Sequence, residues 1–256
     1  MKFNLMIGII GGVLLSQPLN AQEKEGEKKP SAPIEVTADE VRCRTDMSLC
    51  QAIGKARVQQ GDMTLHAQTI DVHARKDAHG KQELFKVEAN GDVEMTTAQD
   101  SARGNRAEYL KDGNYVILFG SPAYVITPEH HLEADQVQTF LEEGPDKKTS
   151  VSHAQATGNV VMTTKDGQIR GSWANYDARE QRAVVTGGVV LNKKENFARG
   201  ERATVNLVTG ESVLSGETLK DGKPLQGSAG NRVRVVLFPE TLDTSKPKRS
   251  NAAVNP

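Results

Sequence analysis

QATGNVVMTT, residues 155–164, rewrites a stretch that stands earlier as EANGDVEMTT, residues 88–97. Gly158 and Gly91 hold the same place in both. The apolar alternation that follows is kept, as Val160 and Met162 against Val93 and Met95, while the charged residues change. A copied catalytic centre would keep its polar groups and let its packing residues vary. The reverse pattern marks a copied backbone unit.

The glycine recurs along the chain as Gly54, Gly91, Gly120, Gly158, Gly187 and Gly216, each closing a short alternation such as VILFG or AVVTG. A second slot follows 13 residues after Gly54, Gly91, Gly158 and Gly187, occupied by Ala67, Gly104, Gly171 and Gly200. It follows 14 residues after Gly120 as Ala134, and Ala38 fills it at the start. From this slot to the next glycine the distance is 16 residues or 24. The two long intervals carry the charged stretches RKDAHGKQE (75–83) and EEGPDKKTS (142–150), which read as exposed loops or hairpin tips. A unit of about 29 residues therefore repeats, twice with an insertion. Self-similarity at such a period is the mark of stacked repeats.

Each unit holds two segments of period-2 alternation, the pattern of half-buried strands. Inside a segment the step widens from two residues to three, as in Leu65, Ala67, Ile70, Val72, which predicts a bulge or corner. The glycines are expected where a strand bends or backbones approach closely. No segment carries a sustained helical stripe, so the fold class is all-β. Alternation places Val58, Leu65, Ile70, Val93, Met95, Val116, Leu118, Met162 and Leu191 on the inward face. Aromatics make up only 4 % of the chain, so few large rings are available to plug the centre. Two facing sheets with this lining either close on it or leave a long apolar trough. Periodicity does not choose between them, and plain core packing explains each of these residues equally well.

The chain opens MKFNLMIGIIGGVLLSQPLNAQ, with Lys2, an apolar run from Phe3 to Leu15, and a small-residue site at Leu19-Asn20-Ala21. That is the anatomy of a secretory signal peptide over residues 1–21, an uncleaved anchor being the alternative. QEKEGEKKPSAP then reads as a flexible charged linker over residues 22–32, and residues 243–256 as a polar disordered tail. Export puts Cys43 and Cys50 in an oxidising compartment, where two cysteines pair. A redox or metal site is the other reading, but there are only these two thiols and no CxxC spacing. With 32 basic and 33 acidic residues there is no basic field to hold nucleic acid. The cluster TPEHHLEAD (127–135) reads as a solvated turn, since adjacent His130 and His131 would face opposite sides of a strand and could not share a metal. A carbohydrate-cleaving site would need carboxylates at repeat-equivalent positions. Those positions hold Gly, Ala and Val, so no enzyme, cofactor or metal is expected.

Four stretches together resemble the LptA/OstA family of periplasmic lipopolysaccharide-transport proteins: PIEVTADEV (33–41), ARVQQGDMTLHAQTIDV (56–72), SARGNRAEYLKDGNYVILFGSPAYV (101–125) and GNRVRVVLFPETL (230–242). The resemblance spans about residues 33–242, read as one domain. It implies an extended β-jellyroll, a twisted V-shaped stack of antiparallel strands whose hydrophobic groove holds lipid A acyl chains. It also implies head-to-tail homo-oligomers bridging an inner-membrane bitopic transport protein and an outer-membrane assembly protein, with an upstream ATPase pushing the cargo. Matching PIEV to the family's first strand places Ile34 and Val36 on the groove. Arg57, Arg103, Arg106, Arg170 and Lys193 then either meet phosphates at the rim or are simply solvated. The chain departs from the usual member in its length, its extra strand units after Gly158, and its cysteine pair, which leaves stoichiometry and partner choice open. A β-repeat scaffold or filament of the cell envelope, without lipid cargo, is the rival reading.

Overall fold

A computed structural model describes residues 34–143, 149–165, 167–194, 196–209, 211–216, 219–220, 223–224 and 232–236. The expected signal peptide, linker and tail, and the middle of EEGPDKKTS, lie outside the described residues. The strands are β1 (Ile34–Thr37), β2 (Glu40–Cys43), β3 (Leu49–Gln60), β4 (Met63–Lys76), β5 (Gln82–Thr96), β6 (Ser101–Leu110), β7 (Tyr115–Ile126) and β8 (His130–Glu143). After them come β9 (Thr149–Thr164), β10 (Gly167–Asp177), β11 (Arg182–Lys193), β12 (Asn196–Asn206), β13 (Ser212–Ser215), β14 (Leu219–Lys220), β15 (Lys223–Pro224) and β16 (Arg234–Val236). Among the described residues there is no helix. All strands but the β14–β15 pair join one antiparallel sheet in which each strand from β3 to β13 lies beside its sequence neighbour, while β1 and β2 both pair with β3 and β16 pairs with β12.

Every strand from β3 to β12 bends at its middle. The pairing register slips between Ile53 and Ala56, between Asn90 and Val93, between Phe119 and Ala123, and between Thr186 and Val189. The slips fall on the repeated glycines. Gly54, Gly91, Gly158 and Gly187 have φ between 76° and 83°, a region that costs an L-residue about 1–2 kcal/mol. The next residue is left-handed too: Lys55, Asp92, Asn159 and Gly188. At Gly91 a Cβ would also fall 2.5 Å from Gln68 Oε1. The second slot needs smallness for another reason. A Cβ on Gly104 would sit 2.5 Å from the Phe119 carbonyl oxygen, so the adjacent strand itself is in the way.

The line of bends folds the sheet into two arms that face each other. The first arm carries β1 and the hairpin tips at 61–62, 97–100 and 127–129; the second carries β2 and the tips at 44–48, 77–81 and 111–114. Val58 and Leu65 of the first arm share a core with Ile70, Ala89 and Leu118 of the second. Separate clusters around Val137 and Val160, and around Val185 and Val189, continue it along the stack. At the N-terminal edge β1 and β2 cover the two halves of β3, and at the other edge β16 and β13 cover the two halves of β12. This is the extended β-jellyroll that the repeat and the family resemblance imply.

The first insertion differs from a simple loop. Both ends of RKDAHGKQE prolong β4 and β5, and the turn itself is confined to 77–81. TPEHHLEAD is likewise a turn only at 127–129, because β8 begins at His130. The expected disulfide is present: Cys43 and Cys50 face each other across β2 and β3 and are bonded.

Candidate functional site

The inner face of the first arm is an unbroken apolar ladder. Val36 pairs with Val58, Val58 with Leu65, and Leu65 with Met95. It continues through Ala102, Val125 and Leu132 to Met162, Ile169 and Leu191, and ends on Ala198 and Val235. The second arm answers with Val41, Ala52, Ile70 and Ala89, then Ala107, Leu118 and Val137, and finally Ala156, Ala174 and Val185. Val116 lies one pleat further out, paired with Tyr109 and Thr139.

The sequence-derived residues distribute over this frame. Val36, Val58, Leu65, Met95, Met162 and Leu191 share the first-arm ladder, and Ile34 lies beyond Val36, opposite Gln60. Ile70, Val116 and Leu118 belong to the second arm. Val93 sits at the apex of the fold opposite Gly104 and is fully buried there, so it closes the bend and does not border open space. Alternation alone groups Val93 with Met95, but the bend separates their surroundings. Ile34, Met95, Met162 and Leu191 are half-buried, while Val36 on the edge strand is 44 % exposed. Ile169, which stands in the same alternation as Leu65, completes the ladder together with Leu132 and Val125, two residues that were not anticipated although each stands at a repeat-equivalent position.

Between the arms lies a cavity of about 40 Å³, bordered by Met95, Ala102 and Val125 of the first arm and Ala107, Val116, Leu118 and Val137 of the second. That volume holds roughly three water-sized groups. This cavity by itself is too small for a long alkyl chain, which needs the arms to part around it. The long β8–β9 hairpin reinforces closure, bringing Leu141 and Val151 into one cluster with Met63 at the tip of the first arm.

Polar groups border the open side. Asp100, in the 97–100 tip, is 8 % exposed and lines the cavity, and its burial raises the carboxyl pKa above the ordinary range. His130 is half-buried at the next tip, and burial lowers its imidazole pKa against the weaker upward pull of Glu129. Arg57, Arg103 and Arg170 alternate with the ladder residues and so face outward; Arg103 is held 2.6 Å from Glu94 and Arg170 donates to Gln168. Arg106 stacks over Phe119 and pairs with Glu108. Of the five basic residues, only Lys193 shares the inward alternation of Leu191 at the rim. Among the described residues, no group of three or more His, Cys, Asp or Glu is placed to hold a metal.

Among the described residues no further strand pairs with the outer sides of the edge strands, which carry exposed valines: Val36 and Val41 at one end, Val213 and Val235 at the other. The crystal structure of LptH from Pseudomonas aeruginosa, the LptA-homologous periplasmic component of the conserved lipopolysaccharide transport device, is 15 % identical over 81 % of this chain and 96 % of that one, with a TM-score of 0.25. Among curated proteins no relative matches. The family profile described as LptA/(LptD N-terminal domain) LPS transport protein matches twice, over residues 35–130 and 125–211. These two matches cover most of the chain, which belongs to the LptA/LptD N-terminal-domain family of lipopolysaccharide transport proteins.

Proposed function

We propose that the protein is a periplasmic carrier that shelters lipid A acyl chains of lipopolysaccharide between its two arms and passes them along without any chemical step. The observation that carries this reading is the apolar ladder running from Val36 at one edge to Val235 at the other without a polar interruption. Each methylene sheltered there contributes about 0.8 kcal/mol, so a chain of a dozen carbons gains roughly 10 kcal/mol before ordering costs. Parting the arms opposes this by separating the facing linings. The two terms leave a moderate net affinity, which transport requires because a deep well would halt the cargo.

Head-to-tail assembly follows the same geometry. The two family matches meet at residues 125–130, where β7 pairs with β8 in a continuing ladder. One family unit thus extends another by strand pairing inside a single chain, and the exposed valine edges offer the same junction between chains. Bridging partners at the two membranes, an inner-membrane bitopic protein and an outer-membrane assembly protein, belong to this proposal.

A photo-crosslinking residue tests it. Placed at Met95 or Met162 it captures lipopolysaccharide in cells, whereas at outward-facing Arg103 it does not. Capture of protein alone from the inward positions supports the rival scaffold, which the small cavity volume favours.

A further inference from the structure

Among the described residues, the buried polar side chains are Asp100 and Thr139, and both line the cavity between the arms. Thr139 is a neutral hydroxyl on the second arm. Asp100 is a carboxyl on a wall otherwise made of apolar side chains and the neutral hydroxyls of Thr97, Ser101 and Thr139. None of its recorded hydrogen bonds involves the side chain: Thr97 N donates to the Asp100 carbonyl at 2.9 Å, and Asp100 N donates to Thr97 Oγ1 at 3.0 Å. No ion pair with it occurs among the described residues.

The hairpin does not require this carboxyl. The next tip closes identically, Thr127 N donating to the His130 carbonyl at 2.9 Å and His130 N to Thr127 Oγ1 at 3.0 Å, with an imidazole at the position. The side chain of Asp100 is therefore surplus to the turn; it makes no hydrogen bond among the described residues, and its oxygens are not among the fully buried atoms that lack a partner, so they reach solvent at the mouth of the cavity. Burial already pushes it toward its neutral form.

We infer that Asp100 receives a primary ammonium group borne on an apolar chain, the chain lying along the first-arm ladder and the ammonium meeting the carboxylate at the rim. The inference rests on the lipid-carrier reading and deepens it. An ammonium brings three donors. The carboxylate accepts one or two, and the hydroxyls of Ser101 and Thr139 on the same cavity accept the remainder. A divalent cation is a poorer match, since it seeks six or more oxygens and a single carboxylate is present. An anionic group placed directly at this carboxylate is repelled, so a phosphate on the same lipid must lie away from it.

The test is calorimetric titration of the purified protein with n-octylammonium, n-octanol and octanoate. Octylammonium is expected to bind at least tenfold more tightly than octanol, and octanoate more weakly than both. Asp100→Asn should remove the tenfold preference and leave octanol unchanged. Thr139→Lys, which sets a fixed ammonium across the cavity, should remove it as well. Equal affinity for octylammonium and octanol in the parent protein, or a preference that survives both substitutions, overturns the inference while leaving the carrier reading intact. Binding of none of the three probes overturns both. Vesicles of phosphatidylcholine doped with phosphatidylethanolamine or its N-acetyl derivative identify the source. Asp100-dependent capture of the free-amine lipid assigns the site to a head-group amine; capture of octylammonium alone assigns it to free alkylamines.

Discussion

Gly187 and Gly188 stand side by side in β11, both left-handed, with φ of 83° and 67°, yet their surroundings differ. A Cβ at Gly188 meets nothing within 4 Å. A Cβ at Gly187 would lie 2.5 Å from Ser172 Oγ and 2.7 Å from Ser172 Cβ. Alanine at Gly188 adds about 1–2 kcal/mol of backbone cost, offset by about 0.4–1 kcal/mol from a stiffer unfolded chain. The net loss is about 1 kcal/mol. Alanine at Gly187 carries the same backbone terms, and the contact with a Cβ cannot be relieved by rotating a side chain. Either β10 or β11 must shift, an overpacking cost of about 1–3 kcal/mol. The 3.0 Å bond from Ser172 Oγ to the Gly187 carbonyl is lost as well, for about 1 kcal/mol. Gly187→Ala should therefore cost about 2–4 kcal/mol more than Gly188→Ala. Trp173, the single tryptophan, sits beside the bend and reports urea unfolding by its fluorescence. Equal midpoints and slopes for the two alanine variants would refute the account of the spine. Gly188→Asn provides a further check and should be nearly neutral, because its repeat equivalents Asp92 and Asn159 already hold φ of 49° and 48°.

Three other outcomes are expected. Cys43→Ser should lower stability by about 2–3 kcal/mol, read as a fall in Tm that a reducing agent reproduces in the parent and does not deepen in the variant. Asp100 and His130 should tilt the stability–pH curve in opposite senses. The raised folded pKa of Asp100 gives stability that is greatest below the ordinary carboxylate range and declines as pH rises through the folded value, so Asp100→Asn should raise Tm at pH ~7. The lowered folded pKa of His130 means stability is lost as pH falls below the ordinary imidazole value of 6.5 and through the folded one, and His130→Gln should flatten that limb in thermal melts. Val41→Lys or Val235→Lys should suppress self-association in sedimentation velocity, since a charged edge opposes strand addition.

Much of the fold was legible because the repeat fixes where each strand bends and alternation fixes which face turns inward. Val58, Leu65 and Leu191 follow from those rules alone, whereas Ile34 came from the family resemblance. Alternation could not separate Val93 from Met95, because the bend between neighbouring strands decides which position closes the apex. The polar residues beside the glycines, whose changes look unconstrained in sequence, are limited by backbone: Asp92, Asn159 and Gly188 all tolerate the left-handed region. Gln68, Asp135 and Ser172 pack over the following glycine and bond across the spine, as Gln68 does to Asp92 at 2.7 Å. The significance of Asp100 was hidden, because nothing in TAQD distinguishes a turn carboxylate in water from one tucked beneath a facing arm.

The sheet grows by one neighbour at a time along a path of 12 strands. Each step rotates the next strand by roughly 20–25° in a constant hand, so 11 steps accumulate well over half a revolution. The opening between the arms therefore winds like a screw thread. Cargo advancing along it is obliged to turn as it travels, and any copy joined at either end must be added with a fixed angular offset for the thread to run on.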